Sequence, residues 1–276
     1  MALAALVALC GLLTGCTNSL PQADGFEQVA SRQTSLPAGN SLVRVAAASD
    51  LRFALAELIA EFKKTDPGVT VEATYGSSGN LSTQIVSGAP FDVFLSADRS
   101  YAHRLVEQEL ADAESEFVYA QGELVLWVRS DSPLNLNAAG VRALAAANIR
   151  RIAIANPEHA PYGRAAVAAL RHLELYDQVS NRLVLGENVA QAAQFVETGA
   201  ADAGLIALSL AVAPTMKDKG RYLPLPADSY PELEQTGVVL RAAGDPAAAR
   251  RFCAFVAADA GQQVLDKFGF QSTNSK

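Results

Sequence analysis

Small hydroxyl and glycine residues follow two predicted strands, and their types and spacing suggest anion binding. Ala46–Ser49 closes the first strand, and Tyr75–Asn80, which includes Ser78, closes the second. The first N–H groups of a helix lack partners within the helix, and the helix dipole favours negative charge there. A serine hydroxyl adds a rotatable donor. Two such turns facing a cleft could hold an oxyanion.

Two later turns have the same character. In Ala160–Gly163 a proline opens a helix, and in Glu187–Val189 a strand again gives way to a helix. Taken singly, a serine or asparagine is more often an ordinary N-cap, and a glycine an ordinary turn residue. Four such turns, two in each half, strengthen the interpretation, because ligands of open α/β sheets collect at the carboxyl ends of the strands. Neutral donors can bind a dianion even in an acidic protein.

Catalytic motifs do not accompany these turns. The sequence contains no GxxxxGK[ST] loop, no HExxH, no GxSxG and no GxGxxG after a strand. His103 and His172 lie in helical patterns typical of solvated histidines. His159 lies in a loop and could serve a serine, which leaves a secreted Ser/His hydrolase as an alternative. Cys253 lies in a helix between two phenylalanines, as a small buried hydrophobe would. We therefore predict that the protein is not an enzyme.

The length, net charge and cysteine content of the chain exclude several classes of protein. The chain has 276 residues, enough for one large domain or two ordinary ones with a sizeable core. Its 22 basic and 29 acidic residues give a net charge of -7, which argues against a nucleic-acid partner. Its three cysteines are too few for a disulfide scaffold or a CxxC-type zinc site. We expect no bound metal cation and no cofactor.

The N-terminal segment predicts export. An almost continuous apolar run, Leu3–Leu13, is too short to span a bilayer comfortably and is followed by Thr14, Gly15 and Cys16. It resembles the lipobox of bacterial lipoproteins, which implies a signal peptide over residues 1–16 and lipidation of Cys16. The alternative, a buried N-terminal helix, fits poorly because Thr17–Asn40 is polar and aperiodic. We interpret residues 17–40 as a flexible tether, so that only the lipid would hold the protein at a membrane.

Beyond the tether, short β-branched runs alternate with helical patterns, as in parallel α/β sheets. We predict two α/β lobes with a ligand cleft between them. Residues 41–121 together with 234–276 would form lobe one, and residues 122–233 would form lobe two. A long final helix opens at Asp245-Pro246 and runs through Lys267. The predicted strands are Leu42–Ala46, Val69–Tyr75, Phe91–Leu95, Leu124–Arg129, Arg151–Ala155, Arg182–Leu185, Gly204–Ala207, Tyr222–Leu225 and Gly237–Leu240.

From about Leu42 to Phe270 the chain resembles the periplasmic molybdate-binding proteins, the substrate-binding components of ABC-type molybdate importers. Two stretches, Ser87–Asp98 and Asn156–Gly163, are long enough to be specific. The shorter stretches Ala46–Ser49 and Lys267–Phe270 would be weak evidence alone. This resemblance implies a type II periplasmic-binding-protein fold that closes on one molybdate or tungstate ion. The stretches that carry it are Ala46–Ser49, Tyr75–Leu81, Ser87–Asp98, Asn156–Gly163 and Lys267–Phe270.

The resemblance also implies the site residues. The family's hydroxyl donors would fall on Ser49 and Ser78, and its backbone N–H donors on Tyr162 and Val189. Some members also present a tyrosine hydroxyl where this sequence has Ala207, so that donor is missing unless Tyr162 replaces it. Asp50 would be unfavourable if its carboxylate faced a dianion, and we expect it to point away or to cap its helix.

These observations predict a periplasmic or cell-surface receptor, lipid-anchored and monomeric, that delivers molybdate or tungstate to an ABC permease. Selection against sulfate would come from the size of the cavity. Three alternatives stay open: a receptor for sulfate, phosphate or another oxyanion on the same fold, the secreted hydrolase that uses His159, and an adaptor lipoprotein without a ligand.

Overall fold

The computed structural model describes residues 41–272. The predicted signal peptide (1–16) with Cys16, the tether (17–40) and residues 273–276 lie outside the described residues. Within residues 41–272, ten strands form two five-stranded sheets. The strands are β1 (Ser41–Ala48), β2 (Val69–Gly76), β3 (Val93–Ser96), β4 (Phe117–Gly122), β5 (Leu124–Arg129), β6 (Ile152–Ala155), β7 (Leu183–Gly186), β8 (Ala203–Ala207), β9 (Gly220–Pro224) and β10 (Leu233–Val239).

Both sheets are mixed rather than purely parallel. The first has the strand order β2-β1-β3-β10-β4 and the second has the order β7-β6-β8-β5-β9. β10 runs antiparallel to β3 and β4, and β5 runs antiparallel to β8 and β9, so the prediction of parallel sheets is wrong for these strands. The reason is topological: β4 leads directly into β5, and β9 leads back into β10. A strand that enters its sheet from the cleft runs opposite to the strands that end there.

Helices cover the faces of both sheets. Short 3-10 turns supplement them at five places in the described part, including Ser49–Leu51 directly after β1. The helices are α1 (Arg52–Thr65), α2 (Ser78–Val86), α3 (Arg99–Glu107), α4 (Leu136–Ala139), α5 (Pro161–His172), α6 (Tyr176–Val179), α7 (Val189–Glu197), α8 (Leu208–Ala211), α9 (Pro246–Ala257) and α10 (Asp259–Lys267).

The final helical segment differs from its prediction. Instead of one helix from Asp245 through Lys267, the chain forms α9 and α10, separated at Ala258, which is extended with φ -78° and ψ 164°. Gly261 packs directly against the backbone carbonyl of Phe255, a position that leaves no room for a Cβ atom. Proline at the start of α9 and the Asp245 cap agree with the predicted start.

The buried face of α1 shows how the first lobe is held together. Ala54, Leu55, Leu58 and Phe62 repeat at helical spacing and are all buried. The ring of Phe62 meets that of Phe252 on α9 edge to face, with 5.2 Å between centroids. Within residues 41–272, no helix is long and apolar enough to cross a membrane.

The topology brings four strand ends to the cleft. β1 ends before Ser49 and β2 before Ser78 in the first lobe, while β6 and β7 lead into α5 and α7 in the second. Parallel strands place their carboxyl ends on one edge of a sheet. The two edges face each other, so the four turns singled out in the sequence meet between the lobes.

Candidate functional site

A small buried cavity lies between the two lobes. Ser49, Ser78, Tyr162 and Val189 all line it, so the structure brings the four predicted site residues together. The space between its lining residues, including the part open to solvent, is about 180 Å³, against about 1040 Å³ for the groove beside α7. A cavity of this kind suits one small ion rather than an extended ligand.

The two serine oxygens are fixed by backbone donors. The Oγ of Ser49 accepts the N–H of Ala190 at 3.3 Å, and the Oγ of Ser78 accepts the N–H of Ala97 at 3.0 Å. Both serines are buried. Because each oxygen already accepts one hydrogen bond, the hydroxyl hydrogen remains available as a donor. Each serine can therefore donate to an acceptor in the cavity.

Two backbone N–H groups supply further donors. Tyr162 is the second residue of α5, and Val189 is the first residue of α7. The side chain of Asn188 caps α7 by accepting from Gln191 at 3.1 Å, which leaves Val189 out of the cap. Neither the N–H of Tyr162 nor that of Val189 has an acceptor among residues 41–272. Such first-turn groups, with the helix dipole behind them, favour an anion.

Asp50 is the unfavourable group at this site. Its residue is 1% exposed, and it lines the cavity beside Ser49. Neither carboxylate oxygen has a hydrogen-bond partner in the described part of the chain, so the expectation that Asp50 caps its helix is wrong. The carboxylate lies near the Tyr162 hydroxyl and the Gln235 amide. That it points away from the ion stays a prediction. Burial raises the pKa of Asp50 to about 6, and the nearby Tyr162 hydroxyl and Gln235 amide offset this only in part.

The hydroxyl of Tyr162 is the group that the sequence offers in place of the donor missing at Ala207. It is buried without a hydrogen-bond partner and lies against Gly122, where β4 passes towards β5. Burial, followed by the charge of Asp50, holds the pKa of Tyr162 well above its ordinary value. The hydroxyl thus stays protonated and able to donate beside Asp50, and Tyr162 also offers its backbone N–H at the start of α5.

The sequence analysis did not identify several polar residues near Asp50. Ser209 donates to the backbone oxygen of Asp50 at 2.8 Å, and Tyr119 donates to the side-chain oxygen of Gln235 at 3.2 Å. Ser209 lies two residues after Ala207, where a hydroxyl-bearing turn residue was a usable signal. Tyr119 and Gln235 lie on strands whose alternation gives no hint of a shared site.

The structure also shows the contacts of His159 and whether the described side chains could hold a metal ion. Nδ1 of His159 lies 2.9 Å from the Oγ of Ser77, so the structure supplies the serine partner that the sequence left unnamed. However, the same hydroxyl caps α2, and no described carboxylate contacts His159 to orient it as catalytic imidazoles require. Among residues 41–272, no three His, Cys, Asp or Glu side chains are grouped to hold a metal ion.

Comparison with known proteins agrees with this architecture. Residues 43–271 match the family model described as bacterial extracellular solute-binding protein. A molybdate-binding protein of Rhodobacter capsulatus is 35% identical over 236 residues, covering 86% of this chain and 90% of the relative. The molybdate-binding protein of Azotobacter vinelandii is 34% identical and covers 83% of this chain and 89% of the relative.

Solved structures show the same fold. The periplasmic molybdate-binding protein of Azotobacter vinelandii superposes with a TM-score of 0.77 at 33% identity, over 83% of this chain and 98% of that one. A sulfate-binding protein of Mycobacterium tuberculosis superposes with a TM-score of 0.71 at 15% identity, over 86% and 88%, and shows the fold alone. The predicted type II periplasmic-binding-protein fold is confirmed.

Removing the charge of Asp50 should stabilise the protein at neutral pH. The folded pKa of about 6 exceeds the ordinary 3.8, so ionisation opposes folding and stability falls as pH rises between these values. Asp50→Asn removes this cost, and we expect a gain of up to about 3 kcal/mol at pH 7 that vanishes near pH 4. Urea unfolding of wild type and variant at both pH values measures the gain.

Asp92→Asn is the matched control. This carboxylate is also buried, but it accepts the N–H groups of Arg44 at 2.6 Å and Gly244 at 2.8 Å. Replacing an acceptor oxygen by an amide NH2 should cost about 1–3 kcal/mol at pH 7. A destabilised Asp50→Asn protein at pH 7 would contradict the account of Asp50.

Proposed function

The chain belongs to the family of bacterial extracellular solute-binding proteins, and from this premise we propose that it is the molybdate receptor of an ABC importer. Tungstate, a tetrahedral dianion of the same kind, would bind in the same way. The receptor carries its ion to a permease and performs no catalysis. Support comes from the relatives of Rhodobacter capsulatus and Azotobacter vinelandii, which are both named molybdate-binding proteins.

The observation that carries this proposal is a set of neutral donors around one buried cavity. The hydroxyls of Ser49 and Ser78 and the backbone N–H groups of Tyr162 and Val189 bind the oxygens of the ion. None of the described residues that line the cavity is Lys, Arg or His. Donors fixed by the backbone can hold a dianion without a formal positive charge. The size of the cavity then distinguishes molybdate and tungstate from sulfate.

Binding is coupled to closure of the lobes. Ser49 and Ser78 belong to the first lobe, whereas Tyr162 and Val189 belong to the second. An ion that contacts both lobes stabilises the closed state, because it binds that state more tightly than an open one. We assign residues 41–121 with 234–276 to one moving body and residues 122–233 to the other.

The N-terminal prediction completes the proposal. Cleavage before Cys16 and lipidation of that cysteine would place the monomeric receptor in the periplasm or at the cell surface, held to the membrane by its lipid alone. The tether of residues 17–40 would let the receptor reach its permease. A receptor for sulfate or phosphate on the same fold is the alternative.

Calorimetric titration with four anions tests the proposed ligand. We expect tight one-to-one heats with molybdate and tungstate and no heat with sulfate or phosphate, because the cavity selects the larger ions. Heat with sulfate or phosphate alone would make the alternative correct. Silence from all four anions would contradict any oxyanion receptor of this kind.

Replacing either serine tests the site itself. Ser49→Ala and Ser78→Ala each remove one hydroxyl donor to the ion, and we expect each to weaken molybdate binding by about 1–3 kcal/mol, the range for a hydrogen bond to a charged group. Ser82→Ala is the control, since Ser82 is buried on the same helix as Ser78 but does not line the cavity. Unchanged affinity in both variants would remove these serines from the site.

A further inference from the structure

A second group of polar contacts joins the lobes beside the cavity. Arg164, on α5 of the second lobe, donates from Nη1 to the Tyr101 hydroxyl at 2.8 Å and from Nη2 to Oδ2 of Asp98 at 2.6 Å. Its guanidinium carbon also lies 5.3 Å from the centroid of the Tyr101 ring. Both partners lie at the start of α3 in the first lobe. One side chain therefore makes three interactions across the cleft.

The acceptor of Arg164 is held in place before the lobes meet. Oδ1 of Asp98 accepts the N–H of Ser100 at 2.8 Å as the cap of α3, and the Ser96 hydroxyl donates to the backbone oxygen of Asp98 at 2.7 Å. These bonds lie within the first lobe, so the second carboxylate oxygen is already oriented towards the cleft. Preorganisation of this kind reduces the entropy lost when the contact forms.

The turn before α5 adds two contacts beside Arg164. The backbone oxygen of His159 accepts the N–H of Gly79 at 2.9 Å, and the His159 ring meets Ser77. A Cβ atom on Gly79 would lie 2.6 Å from this oxygen and 2.9 Å from the Tyr101 hydroxyl. The lobes can approach this closely only because residue 79 has no side chain.

We propose that these contacts form a latch, centred on Arg164, that holds the lobes closed and slows release of the bound oxyanion. The latch consists of Arg164 and His159 on the second lobe and of Ser77, Gly79, Asp98 and Tyr101 on the first. It rests on the proposed receptor function, which it extends from the ion to the rate at which the ion leaves. Arg164 does not line the cavity, so it is a positioning residue.

The magnitude of the effect follows from the exposure of the ion pair. The side chains of Arg164 and Asp98 are 38% and 29% exposed, and an exposed ion pair alone contributes less than about fivefold in affinity. The bond to Tyr101 and the ring contact add to it, because they use the same immobilised guanidinium. We expect loss of Arg164 to weaken molybdate binding about tenfold.

Arg164→Ala tests the latch, with Arg171→Ala as its matched control. Arg171 lies on the same helix, but its guanidinium stacks on Tyr176 within the second lobe, 4.9 Å from the ring centroid. Release of radiolabelled molybdate into excess tungstate gives the dissociation rate, and calorimetry gives the affinity. We expect release from Arg164→Ala to be about ten times faster with an unchanged association rate, partial rescue in Arg164→Lys, and wild-type behaviour in Arg171→Ala.

Gly79→Ala probes the latch without removing a charge. Alanine favours the α2 helix, but its methyl group would lie 2.9 Å from the Tyr101 hydroxyl within the first lobe and 2.6 Å from the His159 carbonyl of the second. The Tyr101 ring must therefore shift, and the lobes cannot close as far. We expect weaker binding, and the melting temperature of the ion-free variant checks that it is folded. Gly244→Ala is the control, because its nearest neighbour lies 3.9 Å away, and it should bind like wild type.

Two failures are distinguishable. A wild-type protein that binds no molybdate would overturn the proposed function. A wild-type protein that binds molybdate, with Arg164→Ala and Gly79→Ala folded and releasing it within twofold of the wild-type rate, would overturn the latch alone.

Discussion

Backbone N–H groups that donate to the serine oxygens are the interaction on which the rest of the site depends. Because each serine oxygen accepts one of these hydrogen bonds, its hydroxyl hydrogen is free to donate in the cavity. The two serines differ, because Ala97 fixes Ser78 within its own lobe, whereas Ala190 reaches Ser49 from the opposite lobe. One hydroxyl is thus oriented within its own lobe, whereas the other is oriented by a contact between the lobes. The orientation of Ser49 therefore depends on the closed arrangement.

Charge at this site comes from dipoles and not from cations. Helix starts and hydroxyls supply the positive potential. Among the described residues that line the cavity, the only ionisable side chains are those of Asp50 and Tyr162. A buried carboxyl without hydrogen bonds opposes both folding and anion binding. In the account proposed above, the donors to the ion and the contacts around Arg164 offset this cost in the closed protein.

Strong local patterns made part of the structure predictable. The apolar run of β5 has the bounds that the sequence indicates, and α7 begins at Val189, in the turn where the sequence indicates a helix start. The rule that ligands gather at strand ends correctly brought the four turns together. β4 was not predicted, and β10 was predicted too short, because the direction and length of these strands depend on the crossing between sheets. The Arg164 to Asp98 pair joins residues 66 apart in different lobes. The periodicity of the sequence cannot predict a contact between two lobes. Nor can it predict that the carboxylate of Asp50 has no hydrogen-bond partner.

The most direct test of the central claim is the position of the ion in the closed protein. Crystals grown with molybdate, measured on both sides of the molybdenum absorption edge, locate the metal by its anomalous scattering. The account predicts one peak in the cavity, with oxygens of the ion within hydrogen-bonding distance of Ser49, Ser78, Tyr162 and Val189. A peak elsewhere, or a closed cavity without one at saturating molybdate, would contradict it.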